Sequence, residues 1–484
     1  MSSKACRIVA RLTALALAAP LLILAQGASA SVKINVNPAQ RFQSIDGFGV
    51  NFNATYFRDE QKPMVDMLVK DLGATIFRLD PYGNTNWEAK NDDADPNHMN
   101  LEYYNDRYST GYFESSWKAA RYLNSLGIKP FLTLSGITPE WMNDSVSRPV
   151  KHHVCSTPEE LAKRAGLRPY HLNPAMYDEF AETVVSMLVY ARQKAHVDFE
   201  YFSPVNETDC FPIEGPRIDP DEAPKVFDAV VKRMRAEGLG DVRLVIPDQA
   251  NSANDYLTPI LADEDLMKSV AVLSLHSYGN AAGVAGPSFA AIQRSKHPEM
   301  RIWLTEYGDL GAADQSFENE WKKQSLLAMR RALQAINEGA RAALFWDAFD
   351  NYHEHDREMT HYGLIRNDDH RYSPKKRYYA AKQLYRFVPS GAQRVGAAAG
   401  SDKLTVSAFH DGPTGRLIVV GVKEGGPDSV EVLTGEGDSR AWDVYLTTRD
   451  LNCVKTNTVR SSGGVVRVQL PDEAVFTLVG SLER

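Results

Sequence analysis

Phe199-Glu200-Tyr201-Phe202-Ser203-Pro204-Val205-Asn206-Glu207-Thr208-Asp209 is an apolar, aromatic-rich run that ends in an amide and a carboxylate. It reads as a buried strand, and a carboxylate where a strand gives way to a loop sits at the mouth of whatever the strands enclose. A second segment, Arg301-Ile302-Trp303-Leu304-Thr305-Glu306-Tyr307-Gly308, ends the same way. Either Glu alone would pass for a surface or structural charge. Two of them at strand ends in one ordered pattern read as a working pair.

Outward from these two segments, short apolar runs alternate with amphipathic ones. Strands are expected from Phe48 onward and at 75–79, 129–134, 199–205, 242–246, 270–275, 301–305 and 342–346. Helices are expected at 64–72, 115–126, 175–194, 225–237 and 320–338. Eight alternating units predict an α/β fold of the (β/α)8 TIM-barrel type. No Gly-x-Gly-x-x-Gly follows the first strand and no phosphate-loop Lys occurs, which argues against nucleotide chemistry. After a helix at 375–387 the composition changes. Short apolar segments at 404–408, 417–422, 430–433, 442–446, 465–469 and 475–478, separated by Gly, Asp and Pro, predict a C-terminal β-sandwich. The alternating run Val32, Ile34, Val36 precedes the barrel and is expected to join that sandwich.

Lys4, Arg7 and Arg11, the apolar run 12–25 and Ala28-Ser29-Ala30 have the layout of a secretory signal. The expected division is therefore a signal peptide at 1–30, an N-terminal strand at 31–41, the barrel at 42–387 and the sandwich at 388–484. The 484 residues are 43% hydrophobic and 24% charged, an ordinary globular mix. Loss of the three leader cations takes the formal charge from −8 to −11. An acidic chain argues against nucleic acid, and no later segment has transmembrane length, so a soluble, secreted or periplasmic monomer is expected. Of four cysteines, Cys6 lies in the leader, Cys155 and Cys210 are placed on loops where an oxidising compartment permits a bridge, and Cys453 is expected as a thiol buried in a sheet.

Residues just past the C-terminal ends of barrel strands gather at one face. Here these are Arg78 and Asp80, Trp141, Asn206 and Glu207, His276 and Tyr278, Glu306, and Trp346 with Asp347. Two carboxyl groups, hydrogen-bond donors and aromatic platforms are what acetal hydrolysis requires: an acid for the leaving oxygen and a second carboxylate for the anomeric carbon or its water. Long segments at 81–114, with Tyr82, Trp87, Tyr103, Tyr104, Tyr108 and Tyr112, and at 135–174 are expected over the mouth, either to stack on sugar rings or to pack the loops down. Asp92-Asp93-Ala94-Asp95 and the stretch from Asp350 to Asp356 have metal-like composition but no recognised ligand spacing, and His152-His153 reads as solvated loop. No metal and no cofactor are expected.

Asn206-Glu207 on the fourth strand and Glu306 on the seventh resemble the acid/base and nucleophile of the clan A retaining glycosidases. Ile45-Asp46-Gly47-Phe48-Gly49, Thr138-Pro139-Glu140-Trp141-Met142 and the stretch from Pro374-Lys375-Lys376-Arg377-Tyr378-Tyr379-Ala380 to Arg386-Phe387-Val388-Pro389 make the chain most similar to glycoside hydrolase family 30. Families 5, 39 and 59 of the clan stay open as alternatives. The resemblance covers nearly the whole mature chain. It implies a retaining β-glycosidase acting on a carbohydrate of xylan, β-glucan or β-galactan type, with Glu207 as general acid/base and Glu306 as nucleophile. It further implies that Asn206 binds the sugar 2-hydroxyl, Arg78 keeps Glu306 ionised, Tyr278 or His276 orients Glu306, and Trp346 floors the sugar subsite beside Trp141 and Asp347. Two rival readings are a non-catalytic carbohydrate-binding barrel and a metal-dependent hydrolase using the His-rich loop after the eighth strand.

Overall fold

The computed structural model describes residues 31–81, 88–136, 138–144, 171–210, 214–250, 253–278, 285–310, 316–353, 358–368, 371–435 and 438–481. The expected signal peptide, Tyr82, Trp87, His152, His153, Cys155 and His355 lie outside them.

Eight parallel strands close into a barrel in sequence order: Gly47–Asn53, Ile76–Asp80, Phe131–Thr133, Tyr201–Ser203, Arg243–Gln249, Val270–Ser277, Arg301–Tyr307 and Ala342–Phe345. Closure comes from the first strand pairing with both the second and the eighth. Gly49 permits this approach, because a Cβ there would stand 1.9 Å from the Ile76 carbonyl oxygen. Phe131, Val245, Val272, Trp303 and Leu344 form a buried cluster of strand residues. Trp303 Nε1 donates to Asp46 Oδ2 at 2.7 Å, which ties the seventh strand to the segment entering the first. The interior is thus a packed core, and the polar strand-end residues gather at the opposite end of the strands.

Sandwich and barrel share a boundary. Nine strands form one sheet whose order places Val32–Ser44 between Gln393–Ala399, antiparallel, and Ser429–Leu433, parallel. Ile34, Val36, Val419, Trp442, Val466 and Phe476 build its own core. Phe409, Ile418, Val420 and Val475 face the other way and join the barrel's hydrophobic cluster. Polar ties cross the boundary from the last barrel helix, Lys376–Tyr385, where Gln383 Nε2 donates to Thr447 Oγ1 at 3.0 Å.

All eight barrel strands stand where the pattern places them. Two sandwich strands do not announce themselves. Gln393–Ala399 is rich in Ala and Gly and reads as a linker, yet pairing along Val32–Ser44 makes it a strand. Val454–Arg460 is exposed except for the half-buried Val459, so no alternation marks it. Cys453 departs from expectation: it is a free thiol in a left-handed turn, φ 54°, just before that strand, and burial pushes its pKa up to about 12. Cys210 is disulfide-bonded.

Candidate active site

The site is built around Arg78, which is 2% exposed near the end of the second strand. Its Nη1 donates to Glu306 Oε1 at 2.6 Å and to Asn51 Oδ1 at 2.9 Å. Its Nη2 donates to Asn206 Oδ1 at 2.7 Å, Asp248 Oδ2 at 2.9 Å and Thr133 Oγ1 at 3.2 Å. One planar fork therefore gathers residues from the first, third, fifth and seventh strands and from the end of the fourth.

His276, from the sixth strand, is the second hub. Its Nδ1 lies 2.6 Å from Glu207 Oε1 and 3.5 Å from Glu306 Oε2, and its Nε2 lies 3.3 Å from Asp248 Oδ1. Tyr278 OH donates to Glu306 Oε2 at 2.5 Å. An oxygen of Glu207 and one of Glu306 are within 4.8 Å of each other, and a His276 nitrogen lies within that distance of both.

Backbone geometry aims Glu207. Glu207 sits at φ 43° and Asp248 at φ 56°, both left-handed, and they hold one another through Glu207 N–H donating to the Asp248 carbonyl at 2.8 Å. Non-glycine residues rarely adopt that region, and such conformations cluster at functional sites.

Burial sets the proton inventory. It raises the Glu207 carboxyl above its ordinary value, and the hydrogen bond and charge of His276 pull back against this. It raises Glu306 too, but here two cations, His276 and Arg78, act against it while Glu207 adds to it. Burial opposes charge on His276, yet Glu306, Asp248 and Glu207 together bring its pKa up to about 10. For Asp248 burial is outweighed by Arg78, then by His276 and Thr305, so its carboxylate is held well below the usual range. Arg78 favours Glu306 as the ionised member of the pair, without by itself cancelling the effect of burial.

Glu207, His276 and Glu306 offer three ligand atoms close enough for a cation. The Arg78 guanidinium on Glu306 and the imidazolium state of His276 both oppose one there. Among the described residues the other such group is His171, Asp219 and Glu222. There His171 Nε2 meets Asp219 Oδ1 at 3.0 Å, and Glu222 accepts from the Asp219 N–H at 3.3 Å. In the Asp350 loop, the Asp350 carboxylate is engaged by Lys375 Nζ at 2.7 Å.

Arg78, Asn206, Glu207, His276, Tyr278 and Glu306 are thus brought together. Trp346 follows the eighth strand and is half-buried, its N–H donating to the Tyr307 carbonyl at 2.9 Å. Asp347 is fully buried, and its carboxylate accepts from Asn351 at 2.7 Å, from Asn53 at 3.2 Å and from the Ala348 N–H at 2.5 Å. Trp141 is half-buried on the turn Glu140–Met142 and donates to the Glu88 carbonyl at 2.9 Å. Of the loop aromatics, Tyr104 and Tyr108 are buried and pack the loop down. Sequence reasoning overlooked Asn51 and Asp248. Asp248 lies at the C-terminal end of the fifth strand, Arg243–Gln249, two residues beyond the expected strand at 242–246, where the strand-end rule would have found it.

No family model matches the chain. Solved structures do. A glycoside hydrolase family 30 subfamily 8 xylanase from Clostridium acetobutylicum superposes with a TM-score of 0.68 at 17% identity, over 93% of this chain and 100% of that one. An endo-β1,6-glucanase gives 0.66 at 17%, over 94% of each chain. A family 39 β-xylosidase from Caulobacter crescentus gives 0.56 at 15%, over 94% of this chain and 100% of that one. The fold resembles that of glycoside hydrolase family 30. At these identities the likeness is one of fold, and function has to come from the site.

Proposed function

We propose that this protein is a secreted or periplasmic retaining β-glycosidase that cleaves a polysaccharide or oligosaccharide of xylan, β-glucan or β-galactan type. The observation that carries this reading is the approach of Glu207 and Glu306 to within 4.8 Å, each with a different set of partners. Retaining enzymes hold their two carboxyl groups about 5–5.5 Å apart, too close for a water to stand between them and attack.

In the first step Glu306 attacks the anomeric carbon while Glu207 gives its proton to the departing glycosidic oxygen. The C–O bond breaks as the Glu306–sugar ester forms. In the second step Glu207 takes a proton from water, the water oxygen bonds to the anomeric carbon, and Glu306 leaves as a carboxylate. Arg78 and Tyr278 each hold one Glu306 oxygen, which orients the nucleophile. Asn206 gives its carbonyl oxygen to Arg78, which keeps its Nδ2 donor for the sugar 2-hydroxyl. Trp346 is the platform beneath the ring. The disulfide at Cys210 supports an oxidising compartment, and among the described residues no helix is long and apolar enough to cross a membrane.

Glu306→Gln tests the reading against its rivals. Hydrolysis of a plant and algal polysaccharide panel should fall by several orders of magnitude with the circular dichroism unchanged. Turnover that survives the substitution, or that a chelator abolishes in the parent protein, would point to the metal-dependent alternative.

A further inference from the structure

Glu207 holds a left-handed backbone conformation, φ 43°, which a non-glycine residue keeps only where its surroundings over-determine it. The end of the fifth strand supplies that constraint. Its pairing with the sixth strand shifts register between Ile246 and Gln249, and there three successive residues grip the turn that carries Glu207. The Asp248 carbonyl accepts from the Glu207 N–H at 2.8 Å. Gln249 Oε1 accepts from the Asp209 N–H at 3.0 Å, while its Nε2 donates to Thr208 Oγ1 at 2.8 Å and to the Pro247 carbonyl at 3.0 Å. The Ala250 N–H donates to Asp209 Oδ1 at 3.0 Å.

The turn is also closed from its far side. The Cys210 N–H donates to the Glu207 carbonyl at 2.7 Å, and Cys210 is tethered by its disulfide. Gly215 packs so close that a Cβ there would stand 2.0 Å from the Asn206 carbonyl oxygen. Within this frame Gln249 has one task. It is 1% exposed, and among the described residues its amide bonds residues 208, 209 and 247 rather than Arg78, His276 or either glutamate. A buried amide that spends its acceptor and a donor on two successive residues fixes where both of them stand. Those two directly follow Glu207.

Building on the glycosidase reading, we infer that Gln249 is a positioning residue for proton donation: by locking Thr208 and Asp209 it holds the Glu207 carboxyl against the departing glycosidic oxygen. It serves Glu207 and not the nucleophile, because Glu306 is held separately by Arg78 and Tyr278. Proton transfer needs hydrogen-bond reach, and a misplacement of about 1 Å costs on the order of 100-fold in rate.

The leaving group separates this role from a structural one. A 2,4-dinitrophenolate departs without a proton, whereas a phenolate needs one from Glu207. The test measures kcat/KM for 2,4-dinitrophenyl, 4-nitrophenyl and phenyl β-glycosides of xylose, xylobiose, glucose and galactose. Gln249→Ala should lower kcat/KM for the phenyl glycoside about 30- to 100-fold and for the dinitrophenyl glycoside less than about threefold, with 4-nitrophenyl between them. Thr208→Val keeps the side-chain shape and removes one partner of the amide. It should show the same ordering with a phenyl loss of about fivefold, and it carries the test if Gln249→Ala does not fold. Losses of equal size on all three leaving groups, or no loss, in both variants overturn the positioning role and leave the hydrolase reading in place. A parent protein that cleaves only the dinitrophenyl glycosides has no proton donor for Gln249 to position, which overturns the inference as well. Failure of the parent protein to cleave any of these glycosides overturns the hydrolase reading, and the positioning role falls with it.

Discussion

Glu207 Oε1 lies 2.6 Å from His276 Nδ1, and through that nitrogen it is linked to Glu306, 3.5 Å further on. One imidazole thus serves both carboxyl groups. Its hydrogen bond and its charge both lower the pKa of Glu207, and its charge lowers that of Glu306.

His276→Phe removes both effects. Each carboxyl should then hold its proton to higher pH, so both limbs of the kcat/KM profile move upward in pH, and kcat drops about 10- to 100-fold. A pH-rate series on parent and variant reads this directly. A lower rate with unmoved limbs would mean that His276 has only a packing role.

Asp248 binds Arg78 at 2.9 Å and also faces His276 and Thr305, all in full burial. Asp248→Asn leaves a buried cation undercompensated, which costs about 3–5 kcal/mol. The native carboxyl is depressed below its ordinary 3.8, so its contribution is present above that pH and fades as pH falls below it. Urea unfolding at pH 7 should show the full gap between parent and variant. In acid, below the ordinary aspartate value, the two should converge.

Glu88 and Glu182 are each 1% exposed and lie near Glu179 and Asp92, with Arg233 against Glu182 at 3.5 Å. Burial pushes Glu88 up to about 7 and, despite Arg233, Glu182 up to about 9. The folded chain then holds protons that the unfolded chain has released above about 4.5, so stability falls as pH rises through 7 towards 9. Thermal unfolding should give a lower Tm at pH 9 than at pH 5, and Glu182→Gln should shrink that difference. An equal difference in the variant would contradict the assignment.

The barrel was legible because eight buried strands leave near-continuous apolar runs, and the Asn206, Glu207 and Glu306 positions because they close two of those runs. What the sequence hid depends on contacts distant in the chain. Gln393–Ala399 becomes a strand only because Val32–Ser44 lies beside it. The bracing of Asn53 and Asn351 by Asp347, 294 positions and 4 positions away, leaves no local mark in the sequence. Asp248 joins the site through Arg78, 170 positions earlier. Such roles are set by which side chains meet across the barrel, and no local pattern encodes that.

The central claim is that Glu306 bonds to the sugar. A 2-deoxy-2-fluoro β-glycoside with a good leaving group, incubated with the protein and followed by peptide mass spectrometry, tests it most directly. The account predicts one sugar per chain, carried on the peptide containing Glu306, with activity lost in step with labelling. A label on another residue, or inactivation with no covalent sugar, would contradict it.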